Sequence, residues 1–181
     1  KIYAFEPAPA VYDLLKANCA IHGPNVHAFN LGVSDRPKTA MFTFYEKSSV
    51  LSGFHSDEIE DREAIQTVVR NMLNSESIEG DVEEYVSELP ADRLQRRTYD
   101  CRLTSVSDLI RENEIDKIDL LKIDAEKSEL EIIKGIENYD WPKIDQIVME
   151  IHDRTGETVK RIEELLRAKG YRCVVEHEKL L

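Results

Sequence analysis

Apolar residues recur along this chain with two different periods, and the two alternate. Residues 2–5, IYAF, and 26–29, VHAF, are short apolar runs that predict buried strands. Between them, Val11, Leu14 and Leu15 fall at helical spacing. Pro7 and Pro9 suit the first turn of that helix, and Gly23 with Pro24 stops it. Residues 40–45, AMFTFY, alternate and predict a further strand or hairpin arm, followed by a small polar loop, KSSVLSG. RTYDCRL, residues 97–103, predicts another strand, after which Thr104 is placed to cap a short helix carrying Leu109 and Ile110. From there the pattern is regular: strand 118–123, helix 128–138, strand 146–151, helix 156–169 closed by Gly170, and strand 171–175. EHEKLL then reads as a turn into a final strand.

Strands alternating with amphipathic helices predict an open, mostly parallel α/β sheet. Residues 56–96 interrupt the alternation. There Ile65, Val68, Val69, Met72 and Leu73 recur at helical spacing, as do Ile78, Val82, Tyr85, Val86 and Leu89, and Pro90 closes the segment. About 40 residues hardly hold a core of their own, so the segment is expected to be a helical insertion within one domain spanning 1–181. It has three possible uses: a lid over a substrate, a docking surface, or a pair of helices packed on the sheet. An apolar strand beginning at residue 2, with no lead-in, predicts a chain cut from something longer.

Charge narrows the partners. Asp and Glu number 36 against 24 Lys and Arg, a formal charge of -12, which disfavours nucleic acid and anionic lipid. Cys19, Cys101 and Cys173 are far apart and contain no Cys-x-x-Cys pair, so they read as small thiols rather than a disulfide framework or zinc site. No apolar run approaches the length of a membrane span, and no secretory signal is visible; the cytoplasm is the expected location.

The candidate chemistry lies at strand ends. In open α/β sheets, ligands bind outside the carboxyl ends of the strands. Glu6 follows strand 2–5, Asp124 follows strand 118–123, and Glu150 and His152 fall at the end of strand 146–151. Glu6 suits the acceptance of hydrogen bonds from two ribose hydroxyls. Asp124 and Glu126 crowd the corner of LLKIDAEKSELEIIKG, residues 120–135, where they face a cofactor's charged centre or an acceptor. The competing reading is helix capping, in which Ser128 and Glu131 form a Ser-x-x-Glu box that would account for Glu129 and Glu131 outright. His152 reads as a general base, a ligand to the acceptor, or a loop hydrogen-bonder. His22 and His27 read as structural. Asp124, Glu150 and His152 offer oxygen and imidazole donors, but no compact metal signature accompanies them, and no metal is expected. No Gly-x-Gly-x-x-Gly occurs in the chain. Either the fold begins one strand before residue 1 or the nucleotide reading is wrong, and the abrupt start favours the first.

FEPAPAVYDLLKAN at 5–18, NLGVSD at 30–35, LLKIDAEKSELEIIKG and MEIH at 149–152 together resemble the FkbM family of methyltransferases. The resemblance implies a Rossmann-like class I methyltransferase sheet, here N-terminally truncated, with S-adenosyl-L-methionine as cofactor. It implies methylation of a hydroxyl on a sugar, lipid or secondary metabolite, free or bound to a carrier protein. By the same likeness Glu6 binds the cofactor ribose, Asn30 lies at the adenine side, Asp124 faces the methionine part and the acceptor, and Glu126, a candidate cofactor-binding residue, belongs to the family's acidic motif. Glu129 also belongs to the family's acidic motif, and Glu150 and His152 to its strand-end motif. His152 is then the first candidate base and Asp124 the second. The sequence departs from the family at Lys127, where glycine is usual, and in lacking the glycine-rich first motif, which is expected in an upstream segment of the same polypeptide. Two rival functions remain on these residues: an NAD-dependent dehydrogenase, and a non-catalytic scaffold that has lost cofactor binding.

Overall fold

The computed structural model describes residues 1–23, 25–48, 51–57, 59, 62–63, 66–67, 95–153 and 155–176. Most of the expected insertion, including its two apolar stripes, lies outside the described residues. Those described at 59, 62–63 and 66–67 are helical.

Among the described residues, seven strands fall into three sheets. β1 (Ile2–Phe5) pairs in parallel with β2 (Val26–Phe29), and helix α1 (Pro9–His22) joins them. β3 (Gly32–Val33) pairs in parallel with β5 (Arg96–Thr104), whose other edge carries β4 (Lys38–Tyr45) antiparallel from Lys38↔Leu103 to Tyr45↔Arg96. β6 (Leu121–Asp124) pairs in parallel with β7 (Ile147–Glu150). A single sheet was expected. Instead, among the described residues, β1 and β6 each have a strand neighbour on one side, and no strand joins the two parallel pairs.

Among the described residues, three α-helices follow β5: α2 (Val106–Glu112), α3 (Glu129–Lys134) and α4 (Glu157–Ala168). The main core lies among them. Ile123, Ile132, Ile133, Trp141, Ile144 and Ile162 are all buried there. A smaller cluster of Ala8, Phe42, Phe44 and Cys101 packs the start of α1 on the β4–β5 hairpin. The expected stripe of α1 is not buried: the helix has no buried residue, and Leu14 is 67% exposed because nothing described covers that face.

Local chemistry explains the boundaries. Thr104 still belongs to β5, so Ser105 caps α2 instead, its Oγ accepting the Asp108 backbone N–H at 3.0 Å. Asp153 holds the start of α4 by accepting the backbone N–H groups of Thr155, Thr158 and Val159. Helix 128–138 is cut short at Gly135. A Cβ there would come within 2.3 Å of the Ser34 carbonyl oxygen and 3.2 Å of Asp35 Cα, so the close approach of α3 to the β3–β4 turn requires glycine. Residues 171–176 form no strand. Their β-like composition finds no ladder, and Tyr171 is tied instead by its side chain, whose hydroxyl donates to the Ile144 carbonyl at 2.6 Å beside the Trp141 ring.

Gly135→Ala is therefore expected to cost about 1–3 kcal/mol, the usual range for forcing an extra carbon into a packed contact, read as a lowered midpoint in urea unfolding. An unchanged midpoint would mean that this contact is looser than described.

Candidate active site

The acidic corner is built by a tight turn. β6 ends at Asp124, the Ser128 N–H closes on the Ala125 carbonyl at 3.0 Å, and α3 begins at Glu129. The turn takes the left-handed conformation at Lys127, with φ 60°. That is the conformation a glycine accepts freely and a lysine adopts only at a cost. The turn at this position is thus one that a glycine would also fit.

Capping does not account for the acids behind the turn. Ser128 makes no side-chain cap. Glu129, with 1% of its surface exposed, turns inward and accepts from the His152 backbone N–H at 3.3 Å, and its Oε1 lies 2.8 Å from His152 Nδ1. Glu131 points the other way. It accepts from Ser34 Oγ at 2.7 Å and from Lys38 Nζ at 3.0 Å, and it lies 3.0 Å from His55 Nε2. Burial pushes the Glu131 carboxyl up, but the hydroxyl and the cations outweigh it and hold it below the usual glutamate range.

His152 sits among three carboxylates: Nδ1 faces Glu129, while Nε2 lies 3.2 Å from Glu126 and 3.6 Å from Glu150. The hydrogen bond to Glu129 is the main reason its pKa is raised above 6.5. Burial raises Glu126, His152 partly counters this, and the neighbouring carboxylates add to it. Asp124 and Glu150 stand directly opposite each other in the β6–β7 ladder, a like-charge pairing that costs stability and relies on Lys122, whose Nζ is 2.6 Å from Asp124. Asp124 remains about half exposed, its side chain open to a ligand.

Glu6 lies beyond the end of β1, partly buried. Its Oε1 accepts the Ala8 N–H at 2.8 Å, and burial is the main reason its carboxyl is raised. Asn30 uses its amide to hold this loop, donating to the carbonyls of Glu6 at 2.9 Å and Pro7 at 3.1 Å. Cys101 donates its thiol to the same Pro7 carbonyl, and burial pushes that thiol up. The structure thus brings Asp124, Glu126, Glu150 and His152 into one cluster and Glu6 with Asn30 into another. The two clusters end strands of different sheets. Among the described residues, no three His, Cys, Asp or Glu side chains converge in a way suited to a metal ion. His55, which drew no notice in the sequence, lies in the segment between β4 and the insertion and reaches α3 through Glu131. No local pattern marks it.

Residues 1–173 match the family described as the methyltransferase FkbM domain. The chain belongs to this family of S-adenosylmethionine-dependent methyltransferases. It is 37% identical over 179 residues to the 31-O-demethyl-FK506 methyltransferase FkbM of Streptomyces tacrolimicus, covering 99% of this chain and 66% of that protein. It is 32% identical to the AMB antimetabolite synthetase AmbE of Pseudomonas aeruginosa over 100% of this chain and 9% of the synthetase. It is 30% identical to the methyltransferase sdnD of Sordaria araneosa, covering 94% of this chain and 64% of the relative. The chain thus spans just under two thirds of the two stand-alone relatives. No solved structure matches it significantly. Among the described residues, no helix is long and apolar enough to cross a membrane.

Two outcomes follow from the corner. Lys127→Gly relieves the left-handed lysine and is expected to stabilise the protein by about 0.5–1 kcal/mol in denaturant unfolding; a loss of stability would mean that the side chain's contacts outweigh the backbone cost. His152, raised in the folded state, contributes stability that is full below pH 6.5 and is lost as pH rises through its folded pKa. Glu126 is raised too and carries the same sign. Unfolding free energy should therefore decline as pH rises from 6.5, and His152→Gln should flatten that decline; an equal slope in the variant would contradict the pairing.

Proposed function

We propose that this chain forms part of the catalytic domain of an S-adenosylmethionine-dependent O-methyltransferase acting on a hydroxyl of a secondary metabolite, free or carrier-bound. The observation that supports this most is the placement of Glu6 and of the Asp124–Glu126 corner beyond the carboxyl ends of parallel strands, where α/β sheets bind ligands. We further propose that the two parallel pairs are halves of one class I methyltransferase sheet, with a strand from an upstream segment lying between β1 and β6. The one-sided pairing of both strands and the greater length of the relatives support this.

The residues present fit the cofactor in part. Glu6 carries a raised, partly buried carboxylate in a loop pinned by Asn30, suited to the two ribose hydroxyls. Asn30 gives its amide to that loop, so its place at the adenine side rests on its carbonyl or its position. When bound, S-adenosylmethionine supplies an electrophilic methyl group on a sulfonium cation. Asp124 presents an exposed carboxylate to such a cation, with Glu126 and Glu150 adding to the field around it. Positioning of the two partners supplies most of the rate. Two relatives, named as a 31-O-demethyl-FK506 methyltransferase and an antimetabolite synthetase, support a secondary-metabolite acceptor.

Calorimetry with S-adenosylhomocysteine and, separately, NAD tests this reading on the full-length protein. Binding of the homocysteine compound, weakened at least tenfold by Glu6→Ala, is the expected result. Binding of NAD instead points to a dehydrogenase, and binding of neither to a scaffold. Asp124→Ala should lower turnover on a hydroxyl acceptor, 31-O-demethyl-FK506 being the first to try, by well over tenfold. Unchanged turnover would remove Asp124 from the mechanism.

A further inference from the structure

The cluster around His152 leaves open which group accepts the proton of the acceptor hydroxyl. Each ring nitrogen of His152 faces a carboxylate, Nδ1 toward Glu129 and Nε2 toward Glu126 and Glu150. Held this way the ring is favoured as the imidazolium, in which neither nitrogen has a lone pair to offer.

His55 has the opposite arrangement. Its Nε2 lies 3.0 Å from Glu131, an acceptor-only carboxylate held in its charged form by Ser34 and Lys38. At that distance the carboxylate favours a proton on Nε2, which in the neutral ring leaves the lone pair on Nδ1. This is the geometry of a base oriented by a carboxylate. His55 also borders a cavity of about 80 Å³, with Val33, Ala40, Phe54 and Leu103 as apolar walls and Lys38 and Ser128 as polar ones. The segment that carries His55 lies against the acidic corner: a Cβ on Gly53 would be 3.3 Å from the Glu126 carbonyl oxygen. The chain leading into the ring is held in place, because Phe54 packs edge-on against Phe42 at 4.9 Å and Gly53 bridges to Thr43 in β4.

We propose that His55, oriented by Glu131, is the general base of this protein, and that the cavity it borders receives the hydroxyl-bearing end of the acceptor. The proposal rests on the methyltransferase reading above. The acceptor O–H proton passes to His55 Nδ1 while the oxygen lone pair forms the new O–CH3 bond. The electron pair of the broken C–S bond stays on sulfur, so the sulfonium becomes a neutral thioether, and the imidazolium later returns its proton to water. His152 keeps a different task as a positioning residue that holds Glu126 and Glu129 at the corner. The charged groups around the dyad are Glu131 from α3, Lys38 from β4 and Asp35 from the preceding turn, with Lys38 3.0 Å from both carboxylates.

Three measurements on the full-length protein decide the matter. In long-range proton–nitrogen spectra of the neutral ring, His55 is expected as the Nε2–H tautomer, and Glu131→Gln, which can turn its amide to the ring, should disturb that preference. A wild-type Nδ1–H tautomer overturns the proposal whether or not the protein proves to be a methyltransferase. Phenol, as a small hydroxyl probe, should shift the His55 ring and the Leu103 methyl signals; no shift at His55 overturns the cavity assignment. In the acceptor assay His55→Gln should lower kcat at least a hundredfold and abolish the acidic limb of the pH–rate profile. It should leave S-adenosylhomocysteine affinity within about twofold of wild type, whereas His152→Gln should keep the limb. A His55→Gln protein that keeps the limb overturns the proposal. Failure of the wild type to bind S-adenosylhomocysteine would sink the methyltransferase reading instead.

Discussion

A carboxylate with 1% of its surface exposed needs a cation or a full set of donors to stay charged, and Glu129 has His152. This buried pair closes the acidic corner. Through it the first residue of α3 grips the segment leaving β7, so the ends of two neighbouring strands and the turn between β6 and α3 are fixed as one unit. Around that unit the carboxylates of Asp124, Glu126 and Glu150 are held close together at a stability cost that Lys122 and His152 offset. Concentrating acid in a chain already at -12 makes physical sense if the corner meets a cation.

Glu131 plays the matching role on the other side of α3. By accepting from Ser34 and Lys38 and facing His55, it joins the helix to the β3–β4 turn and to the segment beyond β4. Gly135 allows the same approach one turn later, since no larger residue fits against the Ser34 backbone. The six residues of α3 therefore connect the main core to the β3–β5–β4 sheet. They do so through two glutamates that point in opposite directions.

The sequence displayed the elements better than their partners. β1, α1, β2, β4 and β5 were legible within a residue or two, because local periodicity and proline or glycine punctuation define them. The end of α3, the cap of α2 and the fate of residues 171–175 were not, because each was decided by a contact distant in sequence: Gly135 against Ser34, Ser105 displacing Thr104, and Tyr171 anchored to Ile144. The corner acids were visible as a group, yet Ser-x-x-Glu spacing pointed to capping while their real partners lie 23 residues away for Glu129 and 97 for one partner of Glu131. β3 was too short to show, and His55 had no pattern around it. The departure at Lys127 was visible in the sequence, but the left-handed conformation that the lysine takes there was not.

The most direct test of this account is the protonation state of His152, read from its ring nitrogen resonances at pH 6.5, the ordinary value for histidine. A ring gripped by Glu129 and Glu126 should be more than half in the imidazolium form there, with both N–H protons in slow exchange. A ring that is mostly neutral at that pH would mean that the carboxylates do not hold it, and the acidic corner would lose the interaction on which it is built.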